Sequence, residues 1–383
     1  MGKRVVLLGA GHAHLHAIAA AGDFAARGHE LVVVAPDRFW YSGLATGMLG
    51  GEYPPALDQV DVSVLAARGG ARFVAGRLHH LDRERRVVHL AGGTGIPYDT
   101  LSVNLGSEPP AIPGEEDCPT AFRVKPVRRV AELRAALEGR FAADPARPIA
   151  VLVAGGGVTA CELAANLLGL AARRSARVAV SVLASGGGFL RQLPPGAAAS
   201  VRAVLERRGA VLRAGARVIA VEGEGNGGSW QAVLEGGERL AFDLFLNASG
   251  LRPNPAVRAL DLPVDDQGAL LVDRHLRSVA DARVHGGGDC VAVEGHALPR
   301  IGVYAIREAP VLRRNLLAAL GGGEPEAFRP QRDYLWIMNL GDGTGLAARG
   351  RLWWHGRAAH WLKDRIDRRF LGGYQRLAGQ AEA

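Results

Sequence analysis

The feature that most constrains the fold is an apolar run leading directly into a glycine-rich turn, and the chain contains it twice. Near the N-terminus, Val5–Leu8 is followed by Gly9-Ala10-Gly11 and then by an alanine-rich helical segment. The pattern returns where Ile149–Val153 precedes Gly155-Gly156-Gly157 and a second helical segment. A buried strand, a tight glycine turn and a helix, in that order, begin a βαβ unit. Two such units predict two nucleotide-binding folds within 383 residues.

Apolar strand-like segments surround each unit, and a third glycine turn, in "ARVHGGGDC", suggests that the first unit resumes after the second. We therefore expect an α/β protein with two interleaved Rossmann-like domains and a C-terminal α+β cap. The expected first domain is discontinuous, comprising residues 1–125 and 240–330. The second domain is expected at 126–239 and the cap, with a basic amphipathic helix, at 331–383.

Composition limits the function classes. The net charge of +8 and the isoelectric point of about 9.9 favour an anionic partner, although arginine-rich usage alone would explain them. No recognised nucleic-acid-binding module accompanies the basic tail, so we expect no nucleic-acid partner. Cys118, Cys161 and Cys290 stand far apart, which argues against a disulfide framework and a metal site. Without a signal-like or membrane-spanning segment, we expect a cytoplasmic protein.

The first glycine turn favours a dinucleotide. Gly9 allows the sharp turn, and Gly11 lets the backbone approach a pyrophosphate at the helix N-terminus. His14 replaces the usual third glycine, so either the helix stands off the strand or the ring points outward. The candidate for the ribose-binding acid is Asp37, two residues beyond the usual position, which Ala35 occupies. The alternative for Asp37 is a solvated turn aspartate.

The second turn is better formed but lacks a ribose selector. Ala160 replaces the third glycine by the smallest possible change. The next strand ends at Ala184-Ser185, with no carboxylate for an NAD 2′-hydroxyl and no arginine immediately after it for an NADP phosphate. We expect a nicotinamide nucleotide here; a relic unit kept for packing is the alternative. In the third turn, Asp289 follows Gly286–Gly288, where a carboxylate can accept a hydrogen bond from a flavin ribityl hydroxyl.

The order of these motifs resembles the pyridine nucleotide-disulfide oxidoreductase superfamily of two-domain flavoproteins. Within it, the chain looks most like the type II NADH dehydrogenase branch, and especially the subgroup fused to selenide, water dikinase, in which His14 is the familiar residue. The resemblance covers nearly the whole chain. Its motifs are "GAGHAHL" (9–15), "YSG" (41–43), "YDTLSVNLGS" (98–107), "KP" (125–126), "GGGVTACELA" (155–164), "GDC" (288–290), "GVYAIREAPVLRRNL" (302–316), "GDG" (341–343) and "WLKDRIDRRF" (361–370).

The resemblance implies FAD in the first domain, NAD(P)H as co-substrate in the second, and a quinone or other small electron acceptor. The flavin would lie close to the helix start at Ala305–Arg307, where the helix dipole favours negative charge. The cofactor-binding candidates are Gly9, Gly11, His12, Asp37, Ser42, Gly106, Asp289, Ala305, Ile306, Gly155, Gly157, Thr159 and Gly250.

Two glutamates are the candidates for catalytic roles. Glu162 matches the family glutamate near the nicotinamide, although a helical glutamate is often merely solvated. Glu308 replaces the usual glutamine of the subgroup; if buried, it would have a raised pKa and could move protons to a quinone. A surface salt bridge with Arg307 or Arg313 is the alternative. Thr46 replaces the usual proline in a segment expected to line the flavin.

Cysteine positions argue against two branches of the family. No cysteine pair occupies the first helix, as disulfide reductases need, and no cysteine follows Cys290, as sulfide:quinone reductases need. The same motifs would also suit a flavoprotein with a non-nicotinamide donor, or a flavin-binding redox sensor with little turnover.

The C-terminal segment combines apolar and basic residues at helical spacing. The apolar set is Ala358, Trp361, Leu362, Ile366 and Phe370, and Trp353 and Trp354 come just before it. The basic set is Arg357, Lys363, Arg365, Arg368 and Arg369. This pattern favours peripheral contact with the inner face of the plasma membrane, although Asp364 and Asp367 interrupt the charge. A helix docked on the first domain, or on a second copy in a homodimer, is the alternative.

Overall fold

The computed structural model describes residues 2–36, 38–223 and 229–380, so the candidate Asp37 lies outside the described residues. The described residues up to 108 form alternating strands and short helices. They are β1 (Arg4–Leu8), α1 (His12–Ala19), α2 (Gly22–Ala25), β2 (Glu30–Ala35), β3 (Arg38–Trp40), α3 (Ala45–Leu49), β4 (Gln59–Asp61), α4 (Val62–Gly69), β5 (Arg72–Ala75), β6 (Leu78–Asp82), β7 (Val87–Leu90), β8 (Gly95–Pro97), β9 (Thr100–Val103) and β10 (Ser107–Glu108).

The central part repeats this alternation with longer helices. Its elements are β11 (Ala121–Arg123), α5 (Arg128–Ala143), β12 (Ile149–Ala154), α6 (Val158–Arg173), β13 (Val178–Ala184), α7 (Pro195–Arg207), β14 (Val211–Ala214), β15 (Val218–Gly223), β16 (Trp230–Leu234), β17 (Arg239–Phe242), β18 (Leu244–Asn247) and β19 (Arg252–Pro253). The last part contains β20 (Leu270–Val272), β21 (Val284–Gly286), β22 (Val291–Val293), α8 (Gly302–Leu317), β23 (Trp336–Asn339), β24 (Gly345–Arg349), β25 (Leu352–Gly356) and α9 (Arg357–Leu377).

Two five-stranded parallel sheets dominate the molecule. The first has the order β21-β9-β1-β2-β5 and the second β11-β18-β12-β13-β14. Their central strands are buried on both faces, as expected where helices cover a parallel sheet, which is why Val5–Leu8 reads as a continuous apolar run. Each sheet is accompanied by a three-stranded antiparallel meander, β6-β7-β8 or β15-β16-β17. This repetition confirms the predicted α/β fold with two Rossmann-like units.

The two units are interleaved, because β21 returns to the edge of the first sheet after the second sheet is complete. Two strands of the second sheet lie just outside the expected segment 126–239. Strand β11 precedes this segment in the sequence, and β18 follows it. The division into an FAD domain and an NAD(P)H domain at those boundaries stays a prediction.

Strand register brings the glycine turns to one edge of each sheet. Leu8 pairs with both Val34 and Val103, so β1, β2 and β9 end at the same level. Helices α1 and α8 pack directly on each other beside this edge. The turn after β21 therefore faces the turn after β1, although about 280 residues separate them in the sequence.

The C-terminal cap is the antiparallel sheet β23-β24-β25 followed by α9. Helix α9 contacts α1 and β4 of the first unit as well as the strands of its own cap. Among the described residues, no helix is both long enough and apolar enough to cross a bilayer.

Candidate functional site

His14 anchors the first glycine turn. The imidazole is fully buried, with Nδ1 2.6 Å from the Gly9 carbonyl oxygen and Nε2 2.8 Å from Ser102 Oγ. Burial lowers the pKa of His14 to about 4, so at neutral pH the uncharged ring donates to Gly9 and accepts from Ser102. The ring therefore points inward and ties the turn to β9, which excludes the outward-pointing ring, one of the two arrangements expected from the sequence.

Asn104, directly after β9, is the residue on which the glycine turns converge. A methyl group placed on Gly9 would lie 2.2 Å from the Asn104 carbonyl oxygen, and one on Gly11 2.1 Å from Asn104 Oδ1. The Asn104 amide donates to the Gly287 carbonyl oxygen at 2.5 Å, whereas its Oδ1 is buried and without a partner among the described residues. Close packing around one asparagine thus explains both glycines of the first turn.

Asp289 lies in a polar cluster beside these turns. Its Oδ2 accepts hydrogen bonds from Ser107 Oγ and Lys125 Nζ, each at 2.6 Å. Burial raises the pKa of this carboxyl, but Lys125 and the two hydrogen bonds outweigh burial and lower it. The carboxylate is therefore ionised and held in place. Gly106, just before Ser107, has a positive φ of 74° and open space where a side chain would be.

Glu308 lies behind the same turn, inside the interface of α8 and α1. It is 2% exposed, and its Oε2 accepts a hydrogen bond from the Gly288 amide at 2.5 Å. Burial is the main cause that raises its pKa to about 7. Glu308 therefore does not form the surface salt bridge that was the alternative. It is buried, and Arg313 pairs with Asp23 instead. Glu308 supports the turn and does not line the cavity described next.

A cavity of about 440 Å³ lies between the first unit and the cap. Of the predicted residues, His12, Ser42 and Ile306 line it, and Gly302 at the start of α8 approaches the His12 ring. Ala305 is buried next to Gly288, one residue before Ile306. The apolar wall consists of Ile301, Val303, Ile306, Tyr334, Leu335, Trp336 and Ile337.

A charged group forms the opposite wall. Lys363 Nζ donates to the Gly43 carbonyl oxygen at 2.6 Å and to Asp367 Oδ2 at 2.7 Å, while Tyr41 OH donates to Asp367 Oδ1 at 2.8 Å. Burial alone would lower the pKa of Lys363, but the charge of Asp367 raises it, so the ammonium persists. The cavity therefore combines an apolar wall with the Lys363–Asp367 ion pair, and further charged residues also line it: Arg307, Asp333 and Arg349.

Glu162 connects three parts of the chain. Its Oε1 accepts hydrogen bonds from Thr46 Oγ1 at 2.9 Å and from the Asn339 amide at 2.8 Å. Burial raises the pKa of Glu162, and the charge of Lys363 and these hydrogen bonds oppose that rise. The side chain is buried, so it is not the solvated helical glutamate that its position would also have allowed. Thr46 supplies one of the two hydrogen bonds that this carboxyl oxygen accepts.

The second glycine turn adopts the expected strand-to-helix geometry. Gly155 has φ +134°, and a methyl group there would meet the Ala248 carbonyl oxygen at 2.1 Å. Gly157 caps α6 without a side-chain hydrogen bond, and Thr159 is exposed in the first turn of that helix. Gly250, with φ +123°, follows β18 at the same edge of the sheet. These residues form an open edge that is separate from the cavity.

Helix α9 docks on the first unit with one side and leaves part of the predicted apolar set exposed. Phe370 stacks on Tyr41 with ring centroids 5.0 Å apart, and Asp367 is buried, so both face the first unit. Trp361 and Ile366 remain 60% and 45% exposed. The acids that interrupt the positive charge thus serve docking: Asp364 accepts from Tyr53 OH at 2.8 Å.

Several residues of the site carry no sequence signal of their own. The sequence marks Lys363 only as a basic residue of the amphipathic helix and Asn104 only within the "YDTLSVNLGS" motif, and it gives no signal for Asn339. Lys125 was noted only within the "KP" motif, and its pairing with Asp289 spans 164 positions. The ligand-binding roles of the predicted residues stay predictions.

The residues present fit a flavin nucleotide. The N-terminus of α1 has no side-chain cap, so its first amide groups are available to a pyrophosphate. The unpartnered Asn104 Oδ1 and the ionised Asp289 lie at the same edge, and the cavity adjoins them through His12. The three cysteines are buried away from this cavity, and burial raises the pKa of Cys161 and Cys290 to about 12.

Comparison with known proteins agrees with this geometry. A family model described as pyridine nucleotide-disulphide oxidoreductase matches residues 3–309. The chain is 25% identical over 341 residues to demethylphylloquinone reductase NdbB of Synechocystis sp., covering 83% of this chain and 80% of that protein. It is 30% identical over 208 residues to rubredoxin-NAD(+) reductase of Alcanivorax borkumensis, covering 54% of this chain and only 50% of that protein.

The fold is shared with solved structures at lower identity. The sulfide:quinone oxidoreductase of Aquifex aeolicus superposes with a TM-score of 0.77 at 16% identity, over 98% of this chain and 92% of that structure. This likeness concerns the fold alone. Since the family model spans most of the sequence, from the first strand into α8, the chain belongs to the pyridine nucleotide-disulphide oxidoreductase family.

Proposed function

We propose that the chain is an FAD-dependent NAD(P)H dehydrogenase that passes electrons to a quinone-type acceptor in the cavity between the first unit and the cap. The family uses FAD with NAD(P)H as its co-substrate, which confirms the cofactors predicted from the sequence. When bound, FAD accepts a hydride from the reduced nicotinamide and supplies two electrons to an acceptor. The type II NADH dehydrogenase branch and the subgroup fused to selenide, water dikinase stay predictions.

The single observation that carries the proposal is the composition of the cavity. Its apolar wall, from Ile301 to Ile337, suits a flat hydrophobic ring, and Lys363 supplies a positive charge for an acceptor oxygen that gains electrons. Helix α9 places Lys363 there because Tyr41 and Asp367 fix its register. The relative NdbB, named as a demethylphylloquinone reductase, also supports a quinone.

The donor half is tested by anaerobic mixing of the FAD-loaded protein with NADH or NADPH. We expect the visible flavin absorbance to bleach with at least one of them. Reoxidation by a soluble quinone should then restore it. Bleaching by neither nucleotide would rule out a nicotinamide donor. Reoxidation by rubredoxin but not by quinone would replace the proposed acceptor with a redox protein, as the name of the Alcanivorax relative suggests.

The location of the acceptor is tested by filling the cavity. Ile337→Trp should slow quinone-dependent reoxidation by about tenfold, because the larger ring occupies the apolar wall. The matched control is Ile219→Trp, since Ile219 is 44% exposed on the meander of the second unit. Equal reoxidation rates in both variants would place the acceptor elsewhere.

We further propose that the cap rests on a membrane surface from which a lipid-soluble quinone is drawn. Exposed apolar side chains cluster on β25 and α9, with Leu352 77% and Trp361 60% exposed. The double variant Leu352→Glu/Trp361→Glu should lose co-sedimentation with anionic liposomes. Val211→Glu, at a 53% exposed site on β14, is the control. Unchanged pelleting of the double variant would refute membrane contact.

A further inference from the structure

The end of strand β13 is neutral and small. Ala184, the last residue of the strand, is 2% exposed, and the exposed Ser185 and the glycines 186–188 follow it. No carboxylate occurs between Ala184 and the start of α7. In a Rossmann unit, a carboxylate at this position binds the 2′-hydroxyl of NAD and would repel the 2′-phosphate of NADP. This site therefore lacks the group that selects NADH.

The loop after β13 packs on the glycine turn that would hold the pyrophosphate. The Leu190 amide donates to the Gly156 carbonyl oxygen at 2.7 Å. A methyl group on Gly156 would lie 2.6 Å from the Ala184 Cβ, so the two strand ends are in direct contact. A nucleotide bound at this turn would carry its adenosine ribose along the loop of residues 185–188.

Arg191 lies over this loop. Its Nη1 is 2.9 Å and its Cζ 3.3 Å from where a methyl group on Gly187 would be, so the guanidinium folds back across the glycines. The Arg191 side chain is exposed and forms no ion pair among the described residues. Arg213 on the neighbouring strand differs, because Glu238 binds it at 2.6 Å. Arg191 therefore has donors to offer a ligand, whereas Arg213 is already occupied.

Arg217 adds a second cation from the adjacent strand. The Ala216 amide donates to the Ala184 carbonyl oxygen at 2.9 Å, which brings the residue after it close to the end of β13. Arg217 is exposed and likewise has no ion-pair partner among the described residues. The edge around Ser185 thus has two exposed arginines near it, Arg191 and Arg217, and residues 185–194 contribute no carboxylate.

We propose that this edge, formed by Ser185, the glycines 186–188, Arg191 and Arg217, is a subsite for the 2′-phosphate of NADPH. The proposal rests on the proposed function, which already uses NAD(P)H, and it makes NADPH the preferred donor. Guanidinium groups bind phosphate oxygens through paired hydrogen bonds, and a glycine loop allows the phosphate to approach the backbone. The sequence does not point to Arg191, because this residue follows Ala184 by seven positions. Only the fold of the turn brings its side chain back over Gly187.

The first test measures nucleotide binding without hydride transfer. Calorimetry on the FAD-loaded protein compares 2′,5′-ADP with 5′-ADP, which lacks the 2′-phosphate. We expect 2′,5′-ADP to bind at least about tenfold more tightly, since hydrogen bonds to a charged group typically contribute that much. Equal affinities would overturn the subsite, whatever the protein does with either donor.

The second test assigns the residues. Arg191→Ala and Ser185→Asp should each lower the ratio of kcat/KM for NADPH to that for NADH by about tenfold, the first by removing a cation and the second by adding a repelling carboxylate. Both positions are exposed, so we expect the variants to fold. Arg213→Ala is the control and should leave the ratio unchanged. A native ratio at or below one, or an equal loss with both donors in Arg191→Ala, would refute the proposal.

Different outcomes test the 2′-phosphate subsite and the dehydrogenase activity. If neither nucleotide bleaches the flavin but 2′,5′-ADP still binds preferentially, the subsite stands and the proposed dehydrogenase activity does not. If NADH reduces the flavin as well as NADPH does and 2′,5′-ADP shows no preference, the dehydrogenase stands and the subsite does not.

Discussion

At the scale of single residues, His14 shows how an apparent defect in a motif can be a different solution to the same packing problem. A third glycine lets helix and strand approach closely, whereas here an uncharged imidazole joins the Gly9 carbonyl to Ser102. The substitution was visible in the sequence. Its meaning was not, because Ser102 lies 88 positions away.

Restoring the usual glycine should therefore destabilise the protein. We expect His14→Gly to lower the free energy of unfolding by about 3 kcal/mol, because it opens a cavity and leaves the Gly9 carbonyl and Ser102 hydroxyl buried without partners. Urea denaturation measures this loss, and FAD should dissociate more readily from the variant. The conservative Ser102→Ala should cost only about 1 kcal/mol. A His14→Gly variant as stable as the native protein would contradict this account of the turn.

Asp58 provides a prediction about pH. It is fully buried and neither carboxyl oxygen has a partner among the described residues; burial and then the charge of Asp367 raise its pKa well above the ordinary value. Above the unfolded pKa of about 4, the native state therefore holds a proton that the unfolded chain releases, and stability falls as pH rises. Asp58→Asn removes this dependence.

We expect Asp58→Asn to raise Tm at about pH 8 and to change it little at about pH 4. Asp61→Asn is a suitable control: burial raises the pKa of Asp61, but hydrogen bonds from Ser63 and the Val64 amide outweigh burial and lower it. That carboxylate caps α4, so the control should show no gain at high pH. A Tm difference for Asp58→Asn that is the same at both pH values would be inconsistent with a buried neutral acid.

At the scale of elements, strands and glycine turns were predictable and the orientation of α9 was not. The apolar runs of β1 and β12 specify buried parallel strands by themselves. The helical periodicity of α9 was also clear, but its buried face contains Lys363 and Asp367, which composition assigns to the solvent. Only the partner, Tyr41 of the first unit, explains why these charges face inward.

Removing that partner should loosen the helix. Tyr41→Phe keeps the stacking on Phe370 but deletes the hydrogen bond to the buried Asp367, at a cost of about 2 kcal/mol. We expect faster amide hydrogen exchange confined to α9. Tyr98→Phe is the matched control, since the buried Tyr98 hydroxyl has no partner among the described residues and its removal should cost little. Unchanged exchange in α9 would show that the Tyr41–Asp367 hydrogen bond does not hold the helix in place.

At the scale of the whole molecule, Asn339 joins the two Rossmann-like units and the cap. Its side-chain Nδ2 donates to Glu52 at 2.7 Å. Its backbone N–H donates to Glu162, and its backbone carbonyl oxygen accepts from Asn166 at 3.0 Å. Glu52 also binds Arg173 of α6 and His360 of α9. The two-unit architecture followed from repeated glycine turns, but this junction did not, because its members lie in three distant segments with no shared motif.

Removing the Asn339 side chain should lower the stability of the whole protein. Asn339→Ala deletes the bond to Glu52 and the one that Oδ1 accepts from the Gly341 amide, and we expect a loss of about 3 kcal/mol in urea denaturation. Asn254→Ala, which removes a cap from a surface turn, should cost only about 1 kcal/mol. Equal losses would mean that Asn339 acts locally.

The interleaved sheets also determine the order in which a growing polypeptide can complete its parts. Four strands of the first sheet, β1, β2, β5 and β9, leave the ribosome early, but β21, Asp289 and α8 emerge only after the entire second sheet. Until then β9 presents an unpaired edge, and α1 lacks the helix that covers it. The second unit must therefore fold beside an unfinished neighbour, so nascent chains of this protein should need protection by chaperones and should acquire the flavin only near the end of synthesis.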